Sequence, residues 1–212
     1  MNIQLKQLIP NPLKGTYGEE SIWGKTAELS SPSYYLVNAA SGKGKSTLLS
    51  YIYGLRKDFS GQLMMDEHDI AGFSLRDWSD VRKTKLAMMF QDLRLFDELT
   101  ALENINIKRQ LTNDVSMDEM MKMTDVLGVS ELLNRPVKFL SMGQQQRVAL
   151  VRTLMQPFEC LLLDEPFSHI DAKNIHKAEQ LIDEACKKNN ASLILTSLGE
   201  SYGLHYNETI AV

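Results

Sequence analysis

Lys45, Ser46 and Thr47 follow a glycine-rich turn, and they are the residues of this 212-residue chain placed most directly to do chemistry. The segment Leu36-Val37-Asn38-Ala39-Ala40-Ser41-Gly42-Lys43-Gly44-Lys45-Ser46-Thr47 reads as a buried strand, a turn and a helix start. Successive backbone N–H groups and a helix N-terminus then converge on one point, which suits phosphate. In such a loop the Lys45 ammonium reaches the β- and γ-phosphates, and the Ser46 hydroxyl holds the Mg²⁺ that bridges them. The common pattern opens with glycine where this chain has Ala39, a replacement that is tolerable if its φ is negative. Lys43 adds a cation inside the loop, read most simply as solvated.

Two acids come next. Cys160-Leu161-Leu162-Leu163-Asp164-Glu165-Pro166 is an apolar run ending in paired carboxylates. It suits a strand buried on both faces of a parallel sheet, with its acids at the carboxyl end where ligands bind. Asp164 would orient the Mg²⁺ shell, and Glu165 would polarise an attacking water as general base. A core strand followed by a solvated acidic turn is the plainer alternative. Between loop and acids lies Leu140-Ser141-Met142-Gly143-Gln144-Gln145-Gln146-Arg147, where Ser141 would cap a helix whose N-terminal dipole favours phosphate.

In this order the three segments resemble the ATP-binding cassette (ABC) ATPase family, over a span from about Tyr17 to the C-terminus. The resemblance implies an α/β fold: a P-loop NTPase of ABC type, with a parallel core sheet flanked by helices, a small antiparallel β subdomain and a helical insertion. It implies one domain, with 1–91 and 156–212 as catalytic core and β subdomain and 92–155 as the helical insertion. ATP and Mg²⁺ are the implied cofactors. Nucleotide contact is implied along Ala39, Ala40, Ser41, Gly42, Lys43, Gly44, Lys45, Ser46 and Thr47, and metal contact at Ser46, Gln91 and Asp164. Leu140–Arg147 resembles the signature motif, whose Ser141, Gly143 and Gln144 would face a nucleotide held by a second subunit. Phe90-Gln91 resembles the Q-loop; a neutral amide engages and releases a metal without burying a net charge. Ser168-His169-Ile170-Asp171 looks like the D-loop at the dimer seam, and Tyr17 fits the aromatic that stacks on adenine, with Trp23 as the substitute.

Departures from the family pattern carry consequences. The position that usually holds a γ-phosphate-sensing histidine is Ser197, and none of the four histidines (His68, His169, His176, His205) takes its place. A hydroxyl cannot carry imidazolium charge. Met142 replaces the first signature glycine. Near-normal nucleotide binding with slow or partner-dependent hydrolysis is therefore expected. A degenerate cassette that binds ATP as a regulatory or structural module is the alternative.

Composition agrees. Apolar residues make up 43% of the chain, enough for a proper core, and no apolar run approaches the roughly 20 residues needed to cross a bilayer. Met1-Asn2-Ile3-Gln4-Leu5-Lys6 lacks the layout of a signal peptide, and Cys160 and Cys186 read as reduced thiols. A net charge of −4 gives no footing for nucleic acid. The resemblance implies a peripheral protein on the cytoplasmic face of the inner membrane. Membrane-spanning subunits would dock near Asp92–Ile105, and the protein would act as a homodimer or a heterodimer with a second ATPase subunit. Thr100–Ile105 and Gly143–Ala149 look like the subgroup serving lipoprotein release, macrolide-type efflux and cell division. Pro166-Phe167-Ser168 departs from that subgroup, and the cargo is not readable.

The residues up to Ser33 read as short edge strands with turns, Tyr34–Asn38 as the strand entering the loop and Lys45–Leu55 as the helix leaving it. Gly61–Met65 and Leu86–Phe90 read as strands, 101–139 as helical and Ser141–Met155 as a helix. Ile175, Ala178, Leu181, Ile182 and Ala185 form one apolar stripe of an outer helix, with Lys187 and Lys188 as surface charge at its end. The strand Leu193–Thr196 precedes Ser197, and Thr209–Val212 is the last strand. Met117, Met120, Met121 and Met123 read as adaptable core.

Overall fold

Short β-branched and leucine-rich runs alternate with helical stretches along the whole chain, and the structure, a computed structural model, describes residues 1–40 and 42–212. The elements begin with β1 (Ile3–Pro10), β2 (Thr26–Leu29), β3 (Tyr34–Asn38), α1 (Lys45–Ile52), β4 (Phe59–Met65) and β5 (His68–Asp69). They continue through α2 (Leu75–Thr84), β6 (Leu86–Met89), α3 (Ala101–Thr112), α4 (Met117–Val126) and α5 (Met142–Thr153). Last come β7 (Cys160–Asp164), α6 (Ala172–Asn189), β8 (Ser192–Ser197) and β9 (Glu208–Ala211).

A parallel sheet ordered β6-β7-β8-β3-β9 carries the site. β6, β7 and β8 are buried along their whole length because both faces of the sheet are covered there. Along β7 the side chains alternate: Leu161 and Leu163 join a core with α3 to α6, while Cys160 and Leu162 join a second core with α1, β1 and β4. Leu163, fully buried, stands opposite Met89 and Leu195 in the two neighbouring strands. Leu163→Ala should therefore cost about 2–5 kcal/mol in chemical denaturation, and a loss under about 1 kcal/mol would contradict this placement.

The smaller sheet is antiparallel, ordered β2-β1-β4-β5. This corrects the expectation of short edge strands before Ser33, since β1 is eight residues long and flanked on both sides. Its terminal proline stops the ladder without harming the interior, and Ile3, Leu5 and Leu8 point into the core. Helix α1 ends at Ile52, short of Leu55, because Gly54 turns at φ +71° beneath the Trp78 ring; a Cβ there would meet the ring at 2.4 Å.

The stretch 101–139 is broken rather than continuous. Asn113 closes α3 in the left-handed region (φ 54°), and Ser116 with Glu119 forms a capping box that opens α4. Met120 is core, but Met117 and Met121 are exposed, so the methionine cluster is only half core. Lys188 does more than end a helix: its Nζ bonds Glu119 at 2.9 Å and ties α6 to α4. Helix α2, capped by Ser74 and Asp77, had no counterpart in the sequence reading because its exposed faces are strongly polar.

Candidate functional site

The acids sit where β7 runs out. Asp164 is the last residue of that strand, only 4% exposed, and its Oδ1 accepts the Thr196 hydroxyl at 2.7 Å. Burial raises its pKa, while hydrogen bonds from the Thr196 and Ser46 hydroxyls oppose the shift. Ser46 lies in the first turn of α1, so the end of one central strand meets the helix that leaves another. The same Thr196 hydroxyl accepts the Glu165 N–H at 2.9 Å.

Glu165 itself adopts φ +48°, a left-handed conformation that a non-glycine residue holds only when its surroundings impose it. Its two carboxylate oxygens have different partners. Oε1 lies 3.4 Å from Lys45 Nζ, and Oε2 accepts a hydrogen bond from Gln91 Nε2 at 3.0 Å. Lys45, 4% exposed, also donates to the carbonyls of Ala39 (2.7 Å) and Ala40 (3.4 Å). An ammonium, two carboxylates, a hydroxyl and an amide thus converge at the carboxyl end of the parallel sheet.

The loop before Lys45 needs its glycines. Gly44 has φ +113°, and a Cβ on it would come within 2.8 Å of Leu13 and 3.2 Å of the Trp23 indole nitrogen. Gly42 is also left-handed, at φ +78°. Ala39 is not among the described residues of positive φ, which meets the condition under which the missing glycine is tolerable. Ser41 lies outside the described residues. Lys43 is exposed, and the Thr47 hydroxyl accepts from Arg56 at 3.4 Å.

Beside the loop is a cleft of about 600 Å³ whose walls include Leu13, Tyr17, Asn38, Ala40 and Lys43. Tyr17 is half-buried on that cleft, whereas Trp23 is buried beneath Gly44. Of the two aromatics, Tyr17 is the one that lines the cleft.

Three other expected residues cap helices. Ser141 and Gln144 cap α5 reciprocally: the Gln144 side chain accepts the Ser141 N–H at 2.9 Å, and the Ser141 hydroxyl accepts the Gln144 N–H at 3.4 Å. Asp171 caps α6 through the Asn174 N–H at 3.1 Å. Among the described residues no hydrogen bond or ion pair joins Ser141, Gly143, Gln144 or Asp171 to the lysine loop. Ser197 is buried as the last residue of β8 rather than in the loop after it, and its hydroxyl accepts the Glu200 N–H at 2.9 Å.

Two positioning groups escaped the sequence reading. Arg152 of α5 donates to the carbonyls of Leu93 and Arg94, two successive left-handed residues (φ 57° and 48°) just after Gln91. Burial lowers its pKa to about 10. The other is Thr196, which serves both acids at once. Neither belongs to a recognisable motif; each is a helix or strand residue whose role exists only across the fold.

A parallel sheet, a glycine loop leading from β3 into a helix, and paired acids at the end of β7, with β8 between the two strands, define a phosphate-loop nucleotide-binding protein. The comparisons narrow this. Residues 32–168 match the family model described as ABC transporter. The chain is 36% identical over 160 residues to the thiamine import ATP-binding protein ThiQ of Haemophilus ducreyi, covering 74% of this chain and 72% of that one. It is 28% identical over 187 residues to the lipoprotein-releasing system ATP-binding protein LolD of Saccharophagus degradans, covering 87% and 82%. Among solved structures, the dimeric post-hydrolysis cassette MJ0796 bound to ADP and Pi superposes with a TM-score of 0.76 at 25% identity, covering 93% of this chain and 88% of that one. The chain belongs to the ABC transporter family, as an ATP-binding cassette.

Proposed function

We propose that this cassette binds and hydrolyses MgATP between two subunits and so drives membrane-spanning transporter partners from the cytoplasmic face of the membrane. The observation that carries the reading is the convergence of Lys45 and Gln91 on Glu165, beside the buried Asp164 and Ser46. In this reading Tyr17 stacks on adenine, and the backbone of the 39–44 loop and the α1 N-terminus receive the phosphates. Lys45 exchanges its carbonyl and carboxylate contacts for phosphate oxygens. The Ser46 hydroxyl, Asp164 carboxylate and Gln91 amide oxygen suit Mg²⁺: they are hard oxygen donors too few for an all-protein cage, the arrangement that ion takes on phosphates. Bound there, it would neutralise charge on the terminal phosphates. Glu165 orients and deprotonates water, and Gln91 reports on the terminal phosphate through its bond to Glu165.

Ser141, Gly143 and Gln144 open a helix whose N-terminal dipole attracts phosphate, yet they lie apart from Lys45 within one chain. A second cassette, identical or different, would bring its own copy to this nucleotide, and the dimeric state of the structural neighbour supports this. Asp92–Ile105, at the start of the helical insertion (residues 92–155), would receive the membrane partner. Phe96 and Phe139 are exposed in the insertion, and Asn104 holds the Phe96 backbone through both its N–H (2.8 Å) and its carbonyl (3.1 Å). No described helix is long and apolar enough to cross a membrane, so the transport path would be the partner's. Among the relatives' names are thiamine and phosphonate import and lipoprotein release, which support transport without choosing a cargo.

A second reading, ATP binding without useful hydrolysis, is favoured by one observation: at the end of β8 stands Ser197, whose hydroxyl accepts the Glu200 N–H and carries no imidazolium charge. Phosphate release by the purified chain, alone and with co-expressed membrane subunits, separates the two. Ser197→His should raise a slow basal turnover by roughly a hundred-fold, the lower end of the range for a positioned proton-carrying side chain. A fast wild type that this change does not improve would contradict the slow-hydrolysis reading.

A further inference from the structure

A buried side-chain amide outside every expected site position has both donors and its oxygen engaged. Gln146 of α5 is 2% exposed; its Nε2 donates to the Glu165 carbonyl (3.1 Å) and to Ser168 Oγ (3.1 Å), and its Oε1 accepts the His169 N–H (2.9 Å). Ser168 Oγ in turn lies 3.0 Å from His169 Nδ1. A buried amide with both donors and its oxygen engaged has one orientation, because turning it would strand donors without acceptors. The N–H of Glu165 is meanwhile held by Thr196. Both peptide groups of Glu165 are therefore pinned, at a φ of +48° that the residue would not keep unaided.

The same amide joins parts that are otherwise separate. Residues 168–170 lie directly on α5, where a Cβ on Gly143 would meet the His169 carbonyl at 2.5 Å. A change in how α5 or this loop sits thus reaches Glu165 through one side chain.

We infer that Gln146 is a positioning residue for the hydrolytic step: it holds the Glu165 backbone so that the carboxylate faces Lys45 and Gln91, and it couples that geometry to residues 168–169. The inference rests on the reading of Glu165 as general base. Two variants separate orientation from bulk. Gln146→Glu keeps the shape and the oxygen that accepts the His169 N–H, and loses the two N–H donors. Gln146→Met keeps the length and loses all three bonds. Both should lower kcat for MgATP roughly ten- to hundred-fold, as expected for misplacing a catalytic group by a fraction of an ångström to one ångström. The calorimetric affinity for ATP should stay at the wild-type value in both variants, whereas the carboxylate of Gln146→Glu, buried against the Glu165 carbonyl, should lower the melting temperature by several degrees. Unchanged turnover in Gln146→Glu overturns the inference, and so does a kcat loss matched by an equal loss of ATP affinity, which would mark general loosening. Glu165→Gln run alongside keeps the two claims apart. If it is inactive while Gln146→Glu is active, only the inference falls; if Glu165→Gln turns over like wild type, or the wild type releases no phosphate, the base assignment falls and takes the inference with it.

Discussion

Lys45→Ala is expected to weaken MgATP binding by about a hundred-fold or more in calorimetry. The ammonium is almost wholly buried, with three oxygen partners supplied by Ala39, Ala40 and Glu165. That environment keeps one positive charge at the mouth of the glycine turn, where a phosphate would replace the carbonyls. Removing one member of a buried charge pair typically costs about 3–5 kcal/mol, and each 1.4 kcal/mol is about ten-fold in affinity, so a hundred-fold loss is the smaller end of the range. The fold should survive, because Lys45 opens α1 and alanine is an excellent helix former there. Wild-type affinity in this variant would remove the phosphate loop from the account altogether.

Glu165→Gln should separate binding from chemistry. The side chain keeps its shape, and its amide oxygen still accepts the bond from Gln91, but it can no longer take a proton. Turnover should fall about 10²–10⁴-fold, the usual contribution of a positioned base. ATP affinity should hold or rise, since the change also frees Lys45 from its carboxylate partner. With hydrolysis blocked, an ATP-dependent dimer should accumulate in size-exclusion chromatography, because ATP binds the closed pair better than the open one. Phosphate release at the wild-type rate would remove Glu165 from the role of base.

The central strands and the acids were legible in the residues themselves. Tyr34–Asn38 is a strand at the bounds read from the chain, and Cys160–Asp164 is buried on both faces, as an unbroken apolar run requires. Ser141 caps a helix for the local reason its type announces, with Gln144 closing the box. Cooler signals failed where composition misled. The proline, glycine and serine content before Ser33 concealed an interior strand, and the methionines of α4 divided between core and surface according to which face the helix turned inward.

Local chemistry thus decided, from the sequence alone, which residues bear charge, where a glycine turn must bend and which runs must be buried, because each of these depends on neighbours a few positions away. What only the tertiary structure decided is which distant groups share an atom. Thr196 serves both Asp164 and Glu165, Gln146 fastens Glu165 to Ser168 and His169, and Arg152 holds the turn after Gln91. These bonds join segments far apart in the chain, and a buried hydrogen bond depends on ångström-scale distance and direction that residue type does not encode. The paired carboxylates were visible as letters; their separate partners, Lys45 on one side and Gln91 on the other, came with the folded sheet.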